Sequence, residues 1–293
     1  TQGDNNHMQW IIKYLTSSIG KKQIMGASGA ALALFILGHM IGNLQLINLD
    51  QSVAQAHYNA YTQLLTGMKP IIYFVELGLV ALFIIHVGLA IRLKIENRKA
   101  RGPEAYEVNA RKGHKTFASF TMIWSGIFIL GFAIQHLMVL KFGVHYLYEN
   151  EKGEIIRDMW LTTIDMFASP FWTAFYLISM FVIGMHLFHA ISSAFQTMGI
   201  AHQKWTPIID KLGIAYSLVV ALGFAFEAAF SCYIANTDEV KVLRDAARSE
   251  AYQQKLEVQK QKQLQEKESK KISAVASSEG FQYSYVMNKE GAR

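Results

Sequence analysis

Hydrophobic positions along this chain gather into five long runs, separated by shorter segments in which polar and charged residues return. The runs cover Gln23 to Leu46, Pro70 to Ile91, Phe117 to Leu140, Pro170 to Thr197 and Leu212 to Ile234, and none contains a lysine or arginine. A helix rising about 1.5 Å per residue needs about 20 apolar residues to cross a hydrocarbon core about 30 Å thick. Each run meets that length. The pattern therefore predicts an all-α integral membrane bundle of five transmembrane helices over residues 23–236, preceded by a segment 1–22 and followed by a charged tail, 237–293. The first run is too long, and too far from any Ala-x-Ala cleavage site, to be a signal peptide, so it counts as a span.

Composition agrees with this reading. Hydrophobic residues make up 52% of the chain and charged residues 17%, against about 25% charged in an ordinary soluble domain, and the mean hydropathy is +0.17. The last 57 residues hold 20 of the 50 charged side chains, so the rest is poorer still in charge. A formal charge of +6 could suggest nucleic acid, but the basic residues sit in short stretches between apolar runs. Lysine and arginine counts in successive connecting segments are three, one, eight, three and two, which places thirteen on one side of the membrane and four on the other. The positive-inside rule then puts the N-terminus and the basic second loop in the cytoplasm, as in a multi-pass protein of a bacterial inner membrane.

An odd number of spans sends the tail outside, and its nearly balanced charges neither favour nor oppose that. From Asp238 to Ile272 it is rich in Lys, Glu, Gln and Ala, which predicts a solvated helix. Val240, Leu243, Leu256 and Leu264 do not sustain a heptad, and beyond Ser273 the composition predicts loose chain. The single cysteine, Cys232, excludes an internal disulfide and a Cys-based metal cluster. The absence of Cys-x-x-Cys-His excludes a covalently attached c-type haem.

Five of the ten histidines, His39, His86, His136, His186 and His189, fall inside spans, where an ionisable ring is costly and marks a functional position. Counted from the outer ends, His39 lies about 10 Å deep and His136 about 6 Å, whereas His86 and His186 both lie about 24 Å deep. Two layers of two imidazoles from facing helices suit bis-histidine ligation of two stacked haems. Zinc or copper sites want three or four ligands at one point, and a di-iron carboxylate site wants Glu-x-x-His pairs; neither pattern is present in the spans. Gly26, Gly29, Gly38, Gly42, Gly78, Gly88, Gly126 and Gly131 would let a flat macrocycle approach the backbone, or equally let helices pack closely. Depth favours His186 over His189 as the fourth ligand, leaving His189 for a haem propionate or a neighbouring carbonyl. Arg92, Lys94 and Lys22 stand at the inner ends, where they could pair with propionates or snorkel to lipid phosphate.

Taken together, these residues resemble the cytochrome b membrane subunit of succinate dehydrogenases and fumarate reductases, in its single-chain, five-helix, di-haem form. The resemblance runs from about Ser18 to Tyr233 and rests on Gly38-His39-Met40-Ile41-Gly42-Asn43-Leu44, on Val75-Glu76-Leu77-Gly78 leading to His86, on His136, and on His186 followed through Ser192-Ser193-Ala194-Phe195-Gln196 by Gly199. It implies an anchor for a flavoprotein with covalent FAD and an iron-sulfur protein on the cytoplasmic face. It also implies two haem b groups, an inner one on His86 and His186 and an outer one on His39 and His136, through which electrons pass to or from a quinone, usually menaquinone. The dicarboxylate chemistry would belong to the partner chain. The tail after Asn236 has no counterpart in the family pattern.

Two intramembrane carboxyls complete the candidates. Glu76 and Glu227 both fall about 10 Å from the outer ends, level with the outer histidines, where Glu76 could exchange protons with a quinone or either could serve as a structural hydrogen bond. Tyr58 and Asn59, with His57 and Tyr61, could supply quinone hydrogen bonds from the first outer loop, although an amphipathic interfacial helix accounts for them equally. Two other readings stay open: the di-haem cytochrome b of a hydrogenase or formate dehydrogenase, which usually has four spans, and a proton-coupled transporter, for which no inverted repeat or broken helix is visible.

Overall fold

The computed structural model describes residues 2–101, 117–200, 202–249 and 252–271. Its helices are α1 (Gln2–Thr16), α2 (Ser18–Asn43, prolonged by a 3-10 turn, Leu44–Leu46), α3 (Gln51–Gly67), α4 (Lys69–Arg101), α5 (Phe117–His136, ending in a π turn, Leu137–Lys141), α6 (Met159–Phe167), α7 (Pro170–Thr197), α8 (Thr206–Ala235) and α9 (Asp238–Arg248). A last helix, α10, spans 252–271. A two-stranded antiparallel hairpin, β1 (Leu147–Glu149) and β2 (Ile155–Arg157), pairs Leu147 with Arg157. Gly153 takes a φ of +72° in its turn, a conformation open to glycine.

Five helices, α2, α4, α5, α7 and α8, are long and apolar enough to cross a membrane, and they contain the five predicted runs. The prolines Pro70, Pro170 and Pro207 sit in first turns, where a missing N–H breaks no helical bond. The helices are longer than their apolar runs because polar contacts extend them. The Ser17 hydroxyl accepts the Gly20 N–H at 3.1 Å and starts α2 early. At the far end of α4, Glu96 accepts from Arg92 one turn back at 3.0 Å and from Lys21 Nζ of α2 at 2.6 and 2.5 Å. Lys21, not its neighbour Lys22, is the buried cation there.

Within the bundle α7 is central, packing on α8, α5 and α2, while α4 lies outside against α2. A Cβ on Gly184 would stand 2.9 Å from the Ala221 Cβ, so α7 and α8 approach as closely as small residues permit. Met180, Ile183, Leu187 and Val220 form the buried centre. The apolar window of α4 has no buried residue, the pattern of a helix whose outward face belongs to lipid.

A second core lies beyond the spans and caps one end. The loop between α5 and α7, in which the apolar-run pattern predicts nothing, carries the hairpin and α6, whose Trp160, Leu161 and Ile164 are fully enclosed by Leu46, Ala54, Tyr58 and Val240. Asp158 begins α6 by accepting the Leu161 N–H at 2.9 Å. It also accepts Gln55 Nε2 at 2.6 Å and Asn59 Nδ2 at 2.8 Å, which ties α6 to α3.

The tail joins this cap, where the composition predicts a solvated helix. Arg244 and Arg248 of α9 both reach Asp165 of α6 at 2.7 Å. On α10, Gln263 accepts the Ile155 N–H at 3.1 Å and donates to the Gly153 carbonyl at 2.7 Å, Lys267 pairs with Glu154 at 3.0 Å, and Leu256 packs on Leu147 and Ile155. Val240 and Leu256 are buried and Leu264 is exposed. The tail therefore shares an end of the bundle with the third loop, as an odd number of spans requires. The expected loose chain beyond Ser273 lies outside the described residues.

Candidate functional site

At the capped end, α2 and α5 bring His39 and His136 together with ring centroids 5.8 Å apart, edge to face. The site is aromatic and apolar: Phe35 stacks on His39 at 5.5 Å, Phe224 lies 5.8 Å from it, and Phe132 lies 5.7 Å from His136. His136 Nδ1 stands 3.2 Å from the Tyr176 hydroxyl of α7.

At the other depth, His86 of α4 turns its Nδ1 to the Met25 carbonyl of α2 at 3.1 Å, with Ser28 Oγ at 3.3 Å. His186 of α7 turns its Nδ1 to Ser125 Oγ of α5 at 3.0 Å. His186 lies within electrostatic reach of His86 and of His189. His189 has no hydrogen bond among the described residues, so His186 is the histidine held against a facing helix. Ser28 precedes His39 by eleven residues and Ser125 precedes His136 by eleven. At the helical rise the two layers are about 16 Å apart.

An imidazole that donates from Nδ1 keeps its lone pair on Nε2, the arrangement of a metal-ligating histidine with its other nitrogen anchored. The backbone agrees with a close approach at the deeper layer. A Cβ on Gly29 would meet His86 Cε1 at 2.9 Å, and one on Gly126 would meet His186 Cε1 at 3.7 Å. Around Gly38, Gly78, Gly88 and Gly131 a Cβ would meet, beyond its own stretch of helix, no atom of the described residues within 4 Å, which leaves flat backbone faces uncovered. A contacting pair, His39 with His136, and a second layer of His86 and His186, each of the latter two with a glycine beside it, suit bis-histidine haem ligation.

The polar candidates separate. Glu76 is half-exposed and paired with Lys141, in the π turn after α5, at 2.5 Å. Glu227 is buried, and its Oε1, with Ser231 Oγ one turn on, has no hydrogen-bond partner among the described residues. Tyr58 is buried, donates to Asn43 Oδ1 at 3.2 Å, and has its hydroxyl pKa pushed up by that burial. The Asn59 amide is engaged on both sides, donating to Asp158 and accepting the Trp160 N–H at 3.0 Å. His57 is exposed. Of the cations at the far end, Arg92 is already paired with Glu96.

Ser28, Ser125, Tyr176 and Lys141 escape a search for intramembrane histidines and carboxyls. One sequence signal does point to the serines: Met25-x-x-Ser28-Gly29 recurs as Met122-x-x-Ser125-Gly126, each followed by a histidine at the same distance. Compared with protein-family models, curated proteins and solved structures, the chain matches none.

Proposed function

We propose that this chain is the membrane anchor and electron-transfer subunit of a succinate:quinone oxidoreductase, with menaquinone as the quinone. In this reading two haem b groups sit one on His86 and His186 and the other on His39 and His136. The observation that carries it is the contact of the His39 and His136 rings at one depth and the placing of His86 and His186 at the other, on four helices in all, with three of the four Nδ1 atoms turned to oxygen partners. Bound there, the two haems supply one-electron carriers at two depths of the membrane. The chain's own side chains orient the rings, keep Nε2 available and surround His39 and His136 with aromatic residues that exclude water.

Glu76 is the proton-exchanging group for the quinone in this reading. It stands near the end that holds His39 and His136, remains accessible, and pairs with Lys141. Tyr58 is a secondary quinone contact, since its hydroxyl oxygen retains acceptor capacity. Flavoprotein and iron-sulfur subunits dock at the opposite, cytoplasmic end, where α4 projects with Arg92, Lys94, Arg98 and Lys99. They carry the FAD, the iron-sulfur clusters and the dicarboxylate site.

Redox titration of the purified complex tests the assignment. Two b-type couples are expected; replacing His86 or His186 removes one, and replacing His39 or His136 removes the other. A visible spectrum without haem would end the reading. Glu76→Gln should keep both couples and slow quinone turnover by 100-fold or more, roughly the range for a lost general acid-base group. Dye-linked succinate oxidation by the partner subunits should not change.

A further inference from the structure

The recurring Met-x-x-Ser-Gly pattern builds the same contact twice. In each copy the serine hydroxyl donates to the carbonyl of the methionine three residues back, Ser28 to Met25 and Ser125 to Met122, at 3.0 Å in both. A hydroxyl has one proton and two lone pairs. With its proton committed to a carbonyl, each serine can only accept from the histidine facing it, His86 at 3.3 Å and His186 at 3.0 Å. In this arrangement, which satisfies the carbonyl and the ring at once, the hydrogen sits on Nδ1 of both rings. Both serines are buried, with 3% and 9% of their surface exposed, so water does not compete for the contact.

We infer that Ser28 and Ser125 are positioning residues that fix His86 and His186 in the Nδ1–H form and, through the hydrogen bond, set the electron-donating strength of Nε2. This rests on the di-haem reading. An anchored Nδ1–H makes the opposite nitrogen a more basic ligand, which favours the oxidised metal and lowers the midpoint potential. The copies differ in one respect. His86 also reaches the Met25 carbonyl at 3.1 Å, so it keeps an acceptor when Ser28 is removed. His186 has only Ser125 for this bond among the described residues. The two serines should therefore contribute unequally.

The experiment is a spectroelectrochemical titration of the intact complex carrying Ser28→Ala, Ser125→Ala, Ser125→Thr or Ser125→Cys. Ser125→Ala should raise the potential of the couple that depends on His86 and His186 by about 59 mV, a tenfold change in ferric-to-ferrous preference for one electron. Ser28→Ala should move it by less than half as much, and Ser125→Thr should restore it. The couple that depends on His39 and His136 should stay fixed throughout. If Ser125→Ala does not assemble, Ser125→Cys, a weaker acceptor, should give an intermediate rise. Haem present with an unmoved potential in the Ser125 variants overturns the serine role and leaves the di-haem reading intact; wild-type complex without haem overturns both.

Discussion

Gly29 and Gly126 occupy equivalent places in the recurring pattern, yet the structure distinguishes them. An added methyl at Gly29 must displace the His86 ring, because 2.9 Å is closer than a Cβ can approach, whereas 3.7 Å at Gly126 is ordinary contact. On the proposed di-haem reading, Gly29→Ala should lower the haem content of the His86 layer by half or more, while Gly126→Ala should stay near the native value, measured by haem extraction and by the amplitude of each redox couple. Asn59 shows a different consequence of close packing. Its amide joins Asp158 to the Trp160 N–H in a site with no exposure. Asn59→Ala should therefore cost about 2–3 kcal/mol, the scale for leaving buried polar partners unsatisfied, read as a lower midpoint of thermal unfolding in detergent.

Among elements, the contact between α9 and α6 turns on one carboxylate. Burial pushes the Asp165 carboxyl up, but hydrogen bonds from Arg244, Tyr146 and Arg248 outweigh it and hold its pKa below the ordinary value. A carboxylate depressed in the folded state contributes stability above its unfolded pKa, near 3.9, and loses it as pH falls through the folded value. Protease cleavage between α9 and α10 should thus be slow at neutral pH and rise below about pH 4. Asp165→Asn should make cleavage fast already at pH 7 and remove that acid-dependent step. Asp158 has the opposite sign: burial raises its pKa despite the Leu161, Asn59 and Gln55 bonds, so ionising it costs stability as pH rises through the folded value. A limited-proteolysis series across pH separates the two, since only Asp165 touches α9.

At the scale of the molecule, the cap joins loops far apart in sequence, and that puts the third loop and the tail at one end of the bundle. α1 lies at one end of the bundle, and α10 lies at the other against the hairpin. Cysteine placed at exposed Lys13 and at exposed Glu268, each in a Cys232→Ser background, should react with an impermeant maleimide from opposite faces of the membrane. With the thirteen-to-four bias of basic residues setting orientation, Glu268→Cys should label in intact cells and Lys13→Cys only after permeabilisation. Labelling of both from one face would break the five-span topology.

The sequence by itself determined the five spans, because length and apolar content are local properties that lipid selects without regard to partners. It also determined the depths of the histidines, since rise per residue converts position into distance along an axis. Only the tertiary structure decided what each ring faces: that His186 rather than His189 meets a serine, that Glu76 pairs with Lys141 across 65 positions while Glu227 is enclosed, and that Asn59 is used up by Asp158. It likewise turned the tail from a solvated helix into part of a core, because Val240 and Leu256 are too sparse to form a periodic pattern and gain their burial from α6 and the hairpin. Depth follows from counting along one helix, whereas rotation about that helix, and the partner it meets, depend on how the helices pack against one another.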